Sequence, residues 1–424
     1  MLKSGLVQKI EKITMMPSRS FQIQPEHQTI DRIAAAILLF VGSLTVLAGA
    51  IIAPSLPAIA QHLATQGLTI ESANFWGKML VSIPALVILV CSPLMGYVID
   101  RHGRRNVLLS GLFLFALSGV WGGIHPQFYS LIISRMGLGL SVAMSMTTAM
   151  TLISDYFKGH ERERFMGYFS SAMALGGIVY FILGGFVATV NWRAPFFIYL
   201  LALPAFVLAY FHIPEPVLEK SQNYSFGEKT NAFSAPQKTP TLVIAMLYAT
   251  ALLNMVIYFA IPTQLSFLLR NIGFNSPLHV GLTTACCSIA VTIISVNYGK
   301  IKERFSHPFI FSAGFLMTGL GYAIIYFGEN YAAVAIGLFF AGLGFGCVMP
   351  NLSTWLMRVA PLAIRGRVIG GLGSSINMGQ FSSPILAHFI IAFGAQTVCV
   401  FGIFSLVSLG VGLFYTAFTL IKKD

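Results

Sequence analysis

Charge is what this sequence has least of. Only 9% of its 424 residues are Asp, Glu, Lys or Arg, whereas 56% are hydrophobic and the mean hydropathy is +0.78. A soluble domain carries about 25% charged residues, so a water-soluble chain is excluded. Acids are scarcer than bases: there are fourteen, and none falls in the middle of a long apolar run. Glu26 and Asp31 precede the first run and Asp155 ends the fourth. The five cysteines (Cys91, Cys286, Cys287, Cys347, Cys399) all lie in apolar runs without metal-ligand spacing, which argues against a disulfide framework or a structural metal. No phosphate-binding loop, Ser/His/Asp set or His/Glu metal set occurs, so neither an ATP engine nor an enzyme is expected, and no cofactor. The first thirty residues contain Lys3, Lys9, Lys12 and Arg19 but no apolar core of 7–15 residues; they read as a cytoplasmic tail rather than a secretory signal.

What is present is a succession of apolar runs. About 20 apolar residues of helix cross a bilayer core of roughly 30 Å, and each span must satisfy its own backbone hydrogen bonds. Spans are expected near 33–56, 76–98, 106–122, 128–152, 165–190, 194–213, 241–269, 278–299, 308–327, 331–356, 367–393 and 396–420. The net charge of +12 would suit a nucleic-acid binder, but its distribution points to topology instead. Five Lys and Arg lie before the first span, three in each of five loops on the same side and two at the C-terminus, which makes 22 of 26. The other loops hold Lys78, Arg193 and Arg270, and Arg135 alone is assigned to a span. Both termini are therefore expected in the cytoplasm of a multi-pass inner (plasma) membrane protein, whose partners are the bilayer and a small solute, without nucleic acid, as a monomer.

The polar stretch from Ile213 to Pro240 divides six runs from six. The expected organisation is a tail at 1–32, a six-helix bundle at 33–213, a linker at 214–240, a second bundle at 241–420 and a tail at 421–424. A shift of 203 residues superposes Gly96, Asp100 and Arg101 on Gly299, Glu303 and Arg304, Gly111 on Gly314, and Gly139 on Gly342. The same shift carries Arg162, Arg164 and Gly167 onto Arg365, Arg367 and Gly370. Charges this scarce recurring at one offset indicate homologous halves, the plan of transporters with a site between parallel repeats.

The segment Gly96-Tyr-Val-Ile-Asp100-Arg101-His-Gly103-Arg104-Arg105 resembles the loop between helices 2 and 3 of the major facilitator superfamily. The resemblance extends to the weaker copy from Gly299 to Phe305, the Arg135-to-Gly139 stretch, the Asn191-Trp192-Arg193 loop and the 6+6 layout. It implies an all-α membrane protein of twelve spans in two bundles. Gly96 and Gly103 would permit close approach and a tight turn, while Asp100, Arg101, Arg104 and Arg105 would pair where the halves meet, forming a conformational latch. The family's acidic partner at the end of the fourth helix is matched by Asp155. The alternative is that these bases only set topology.

Arg135 is costly within a span, about 2.5–3.5 kcal/mol on insertion scales, and the resemblance implies a role in proton coupling. It also reads as an interfacial anchor, or as a group awaiting an anionic substrate, because no acid accompanies it. Two features depart from drug-exporting members: the first span lacks a carboxylate, and Tyr180-Phe181 replaces a Gly-Pro pair ahead of Gly184-Gly185. Asn254, Tyr258, Gln264, Asn351, Asn377 and Gln380 are candidates for binding or coupling, although each amide could equally bond a neighbouring helix. His388 reads as structural. The function expected is proton-coupled export of small amphipathic molecules, similar to the family's multidrug and siderophore exporters. The alternative is an uptake symporter or exchanger for an organic anion such as a siderophore or carboxylate.

Overall fold

The computed structural model describes residues 31–216, 241–328, 330–361 and 364–421. The N-terminal tail and most of the expected linker lie outside these residues. Twelve helical segments follow one another: α1 Arg32–Thr65, α2 Ile70–His102, α3 Arg104–Ile124, α4 Phe128–Tyr156, α5 Gly159–Ala188, α6 Ala194–His212, α7 Thr241–Asn271, α8 Pro277–Arg304, α9 His307–Phe327, α10 Tyr331–Val359, α11 Arg365–Ala392 and α12 Thr397–Ile421. α1 is interrupted after Ala50 by a turn and a 3-10 stretch at Ala53–Ser55, where Pro54 cannot supply a ladder N–H. Prolines also stand inside α2 (Pro84, Pro93), α7 (Pro262), α10 (Pro350) and α11 (Pro384).

Eleven of these helices are long and apolar enough to cross a membrane. α11 is long enough, at 28 residues, but carries Ser374, Ser375, Asn377, Gln380, Ser382 and Ser383 in its middle. Polar groups in such a helix need partners from the protein. Ser383 accordingly donates to the Val256 carbonyl of α7 at 2.7 Å, and Asn377 donates to Gly373 of its own helix.

Each half has its own core, one running from Ala34 to Ile213 and the other from Ile244 to Tyr415. The repeat is visible in the packing. A Cβ on Gly139 would come within 2.7 Å of the Pro84 carbonyl oxygen, and one on Gly342 within 2.5 Å of the Cys287 oxygen, a pair shifted by the same 203 residues. Two glycines thus set how closely α4 approaches α2 and α10 approaches α8.

The halves join at one end. Away from the basic loops, Gly185 of α5 meets the backbone of Gly281 and Pro277 in α8, and Phe75 of α2 packs its ring 4.6 Å from His388 of α11. Gln61 of α1, with its amide oxygen turned toward Arg270 of α7, accepts from that guanidinium at 3.1 Å. On the basic side a Cβ at Gly96, Gly167, Gly299 or Gly370 would meet nothing within 4 Å. The cleft between the halves is open on the basic side and closed on the other.

Candidate functional site

Gly103 is the turn between α2 and α3, and its φ of +87° is one that residues with a Cβ rarely adopt. The turn leaves the first N–H groups of α3 without helical partners. Glu215 supplies what they need: its carboxylate accepts from Arg104 N–H at 2.6 Å and from Arg105 N–H at 2.8 Å. A carboxylate at a helix N-terminus contributes roughly 0.3–1 kcal/mol when exposed and up to about 2 when partly buried. Arg104 is itself buried and reaches Asp155 of α4 at 3.3 Å and Asp100 of α2 at 3.3 Å. Arg105 donates to the Tyr210 carbonyl and lies over that ring.

In this conformation, open at that end, the loop differs from the expected latch in three respects. Both ion pairs of the loop lie within the first half, whereas the residues were expected to pair where the halves meet. Asp100, whose side chain is 74% exposed, pairs with Arg104 alone among the described residues, and Arg101 bonds Tyr97 of its own helix. Gly96 makes no close approach, because it lies where the halves are apart. In the second half, Glu303 and Arg304 form no ion pair among the described residues.

Arg135 is 0% exposed and does not line the cleft. Its guanidinium lies 4.9 Å from the Phe196 ring and 5.1 Å from the Tyr199 ring, both in α6, and donates to Tyr199 Oη at 2.9 Å. Tyr199 passes the chain on to the Ala48 carbonyl of α1. Aromatic faces and a hydroxyl therefore solvate the charge within the bundle, and a solute in the cleft would not touch it in this conformation.

The candidate amides separate into two kinds. Asn351 is structural: it accepts from Tyr298 at 3.0 Å and from His307 Nδ1 at 2.7 Å, and donates to the His307 carbonyl. Gln380 reaches Met255 of α7 at 3.9 Å, and Asn377 is bonded within α11. Asn254 and Gln264 of α7 are buried, and neither amide has a partner among the described residues, an uncommon state for an interior polar group. Tyr258, one turn from Asn254, packs edge-on against Phe345 of α10.

The fold and cleft are those of a carrier with two related halves. The sequence matches the family model described as Major Facilitator Superfamily over residues 38–275 and 247–423. The chain belongs to this superfamily. Its relatives include the quinolone resistance protein NorA of Staphylococcus aureus, 25% identical over 338 residues covering 78% of this chain and 84% of the relative. Multidrug resistance protein 1 of Bacillus subtilis is 26% identical over 341 residues, covering 79% and 84%. Among solved structures, a D-xylose–proton symporter superposes with a TM-score of 0.73 at 18% identity, covering 90% of this chain and 96% of that one. The human organic anion transporter MFSD10 superposes with a TM-score of 0.68 at 19% identity, covering 92% and 100%.

Two residues of this superfamily member escaped the sequence reading. Lys78 was counted with the loop charges, at the edge of the expected 76–98 span, but stands in the ninth position of α2, only 5% exposed. Its Nζ lies 4.7 Å from the Phe267 ring of α7 and has no hydrogen-bond or ion-pair partner among the described residues. The apolar flank from Met79 to Ala85 was the missed signal, since it continues α2 directly from Lys78. Glu215, in the Ile213-Pro-Glu-Pro216 sequence closing α6, was absorbed into the linker. An acid between two prolines that halt a helix is a fixed carboxylate, and that was its signal.

Proposed function

We propose that this chain is a secondary exporter of small amphipathic, drug-like molecules, working by alternating access and driven by a proton gradient across the plasma membrane. The observation that carries the reading is its relatedness over most of its length to superfamily members named for quinolone and multidrug resistance. A transporter confers resistance by lowering the amount of compound inside the cell, so export is the direction. The cleft geometry agrees: the open end lies among the basic loops, which the positive-inside rule places in the cytoplasm, and it would load from there. Asp100, Arg104 and Asp155 serve as the latch at that end, and the half-buried Tyr258 and Gln380 contribute polar contacts to the cleft, while Asn254 and Gln264 are buried in this conformation.

A second reading, transport of an organic anion such as a carboxylate or siderophore, draws on Lys78. A buried ammonium without a counter-charge is costly, and an anionic group on the solute would offset that cost. Proteoliposomes with an imposed pH gradient of either sign separate the possibilities. A quinolone or cationic dye should accumulate against its gradient only when protons run the opposite way. Accumulation of an organic acid in the direction of proton flow, with no movement of dye or quinolone, would overturn the exporter reading.

A further inference from the structure

The first half neutralises its own basic end and the second does not. At the start of α3, Glu215 binds the two leading N–H groups and Asp155 holds Arg104. Shifted by 203 residues, Arg104 becomes His307, Asp155 becomes Arg358 and Glu215 becomes Phe418, which packs into the second core. Both internal carboxylates are thus replaced, one by a cation and one by an apolar ring. Ser306, the N-cap of α9, makes no side-chain cap bond.

In that place there is a cavity of about 540 Å³, lined by Lys302, Ser306, His307, Trp355, Arg358 and Thr419 among others. Its volume is in the range of small-ligand sites, about 300–1,000 Å³. The walls come from the basic-side ends of α8, α9, α10 and α12. Lys302 donates to the Phe305 carbonyl at 3.1 Å, and neither it nor Arg358 has an ion-pair partner among the described residues. Glu303, the nearest acid in sequence, is exposed and does not line the cavity. His307 is fixed: Nδ1 is committed to Asn351 and the ring is stacked on Trp355 at 5.3 Å, which leaves Nε2 to meet an occupant. Two cations, an oriented imidazole, a hydroxyl and a helix N-terminus make a receptor for a phosphate-type oxyanion.

We propose that this cavity binds a phosphate group, that of an anionic phospholipid in the leaflet on the basic side. A lipid rather than free phosphate is favoured by what flanks the cavity. Phe305 and Phe309 are stacked on one another at 4.8 Å and both are 44% exposed, an apolar surface beside the α9 terminus for acyl chains to cover. Basic pockets between membrane helices on the cytoplasmic side take phospholipid head groups for the same reasons. Such a lipid would supply the anion that Glu215 supplies in the first half, pinning α8, α9, α10 and α12 together at one end.

The test uses the full chain purified in an uncharged detergent, with lipid retention read by native mass spectrometry. One phosphatidylglycerol should be retained with at least about tenfold preference over phosphatidylcholine. Lys302→Gln and Arg358→Gln should each weaken retention about tenfold, since each removes one charge-assisted contact, and these single changes keep the test available if the double variant fails to fold. Arg162→Gln with Arg164→Gln, which removes two charges from another basic loop, should leave retention unchanged. Equal loss in that control, or no preference over phosphatidylcholine, would overturn the proposal by showing diffuse attraction or none. Millimolar inorganic phosphate displacing the lipid would confirm the shared chemistry, and thermal protection by phosphate with no lipid retained would overturn the lipid assignment.

Discussion

Arg135 and Lys78 are both cations buried in the protein, yet of the two only Arg135 has a hydrogen-bond partner among the described residues. Arg135 has two aromatic faces and the Tyr199 hydroxyl around it, with only its Nε unpartnered, whereas among the described residues Lys78 has the Phe267 ring alone. Removing a solvated charge leaves a void and strands its partners, whereas removing an unsolvated one relieves desolvation. Arg135→Ala is therefore expected to lower stability by about 2–4 kcal/mol, within the range for emptied buried sites. Arg135→Lys should fall between, because an ammonium keeps the charge but loses the planar stack. Thermal unfolding of the purified variants measures both, and an unchanged melting temperature with lost transport would place Arg135 in solute handling instead. For Lys78→Met the expectation reverses: stability unchanged or raised, with transport of anionic solutes reduced at least about tenfold and that of neutral ones retained. Equal loss for neutral and anionic solutes would remove Lys78 from recognition.

At the scale of elements, glycine contacts record which ends of the helices meet. In this conformation a Cβ on Gly281 would overlap the Phe181 carbonyl oxygen, while one on Gly96 or Gly299 would stand in open space. Gly281→Val should therefore wedge α8 from α5 and disfavour the state closed opposite the basic loops. Gly96→Leu should leave this state intact and hinder closure of the basic end, where α2 must approach the other half. Cysteine accessibility at Gly370→Cys distinguishes them: labelling should fall with Gly281→Val and persist with Gly96→Leu. Identical labelling in both would mean that these glycines do not govern the exchange. Asp155→Asn tests the same end, since it weakens the hold on Arg104 without touching the cleft. Transport should slow while equilibrium solute binding is kept, and lost binding in a folded protein would place Asp155 in the site.

The spans were legible because membrane helices must be apolar, and α3 through α12 begin and end within a few residues of the apolar runs, apart from the basic-side ends of α5 and α8, which extend by five or six. α1 and α2 run further on the side away from the basic loops, to Thr65 and from Ile70, because those stretches are more polar than a span yet pack Ile59, Leu63 and Ala73 into the first core. Burial by a distant element is not written in local hydropathy, which is why Lys78 read as a loop residue. The candidate site was less legible for the same reason. Asn254 and Asn351 are alike in sequence, and only tertiary neighbours separate an amide bonded to His307 from one with no partner.

For the molecule as a whole, the remaining step is to set the fold in its membrane. With Lys78 inside α2, only Arg193 and Arg270 remain on the side opposite the 22 basic residues, so the asymmetry is sharper than the sequence suggested. Retention of Lys and Arg on the cytoplasmic side is the basis on which we propose that both chain termini and the open end of the cleft face the cytoplasm. Two single-cysteine variants on a background lacking the five native cysteines test the orientation together with the state. Gly167→Cys, at the open basic end of α5, should react with a membrane-impermeant maleimide in everted vesicles and be protected in intact cells. Asn191→Cys, in the loop beyond α5, should show the reverse. If Gly167→Cys reacts only in intact cells, the chain is inverted and the proposed direction of export fails with it. If it reacts from neither face, the orientation stands untested by that residue, but the state open to the basic side is not the resting one, and a labelled Asn191→Cys would still fix which way the molecule faces.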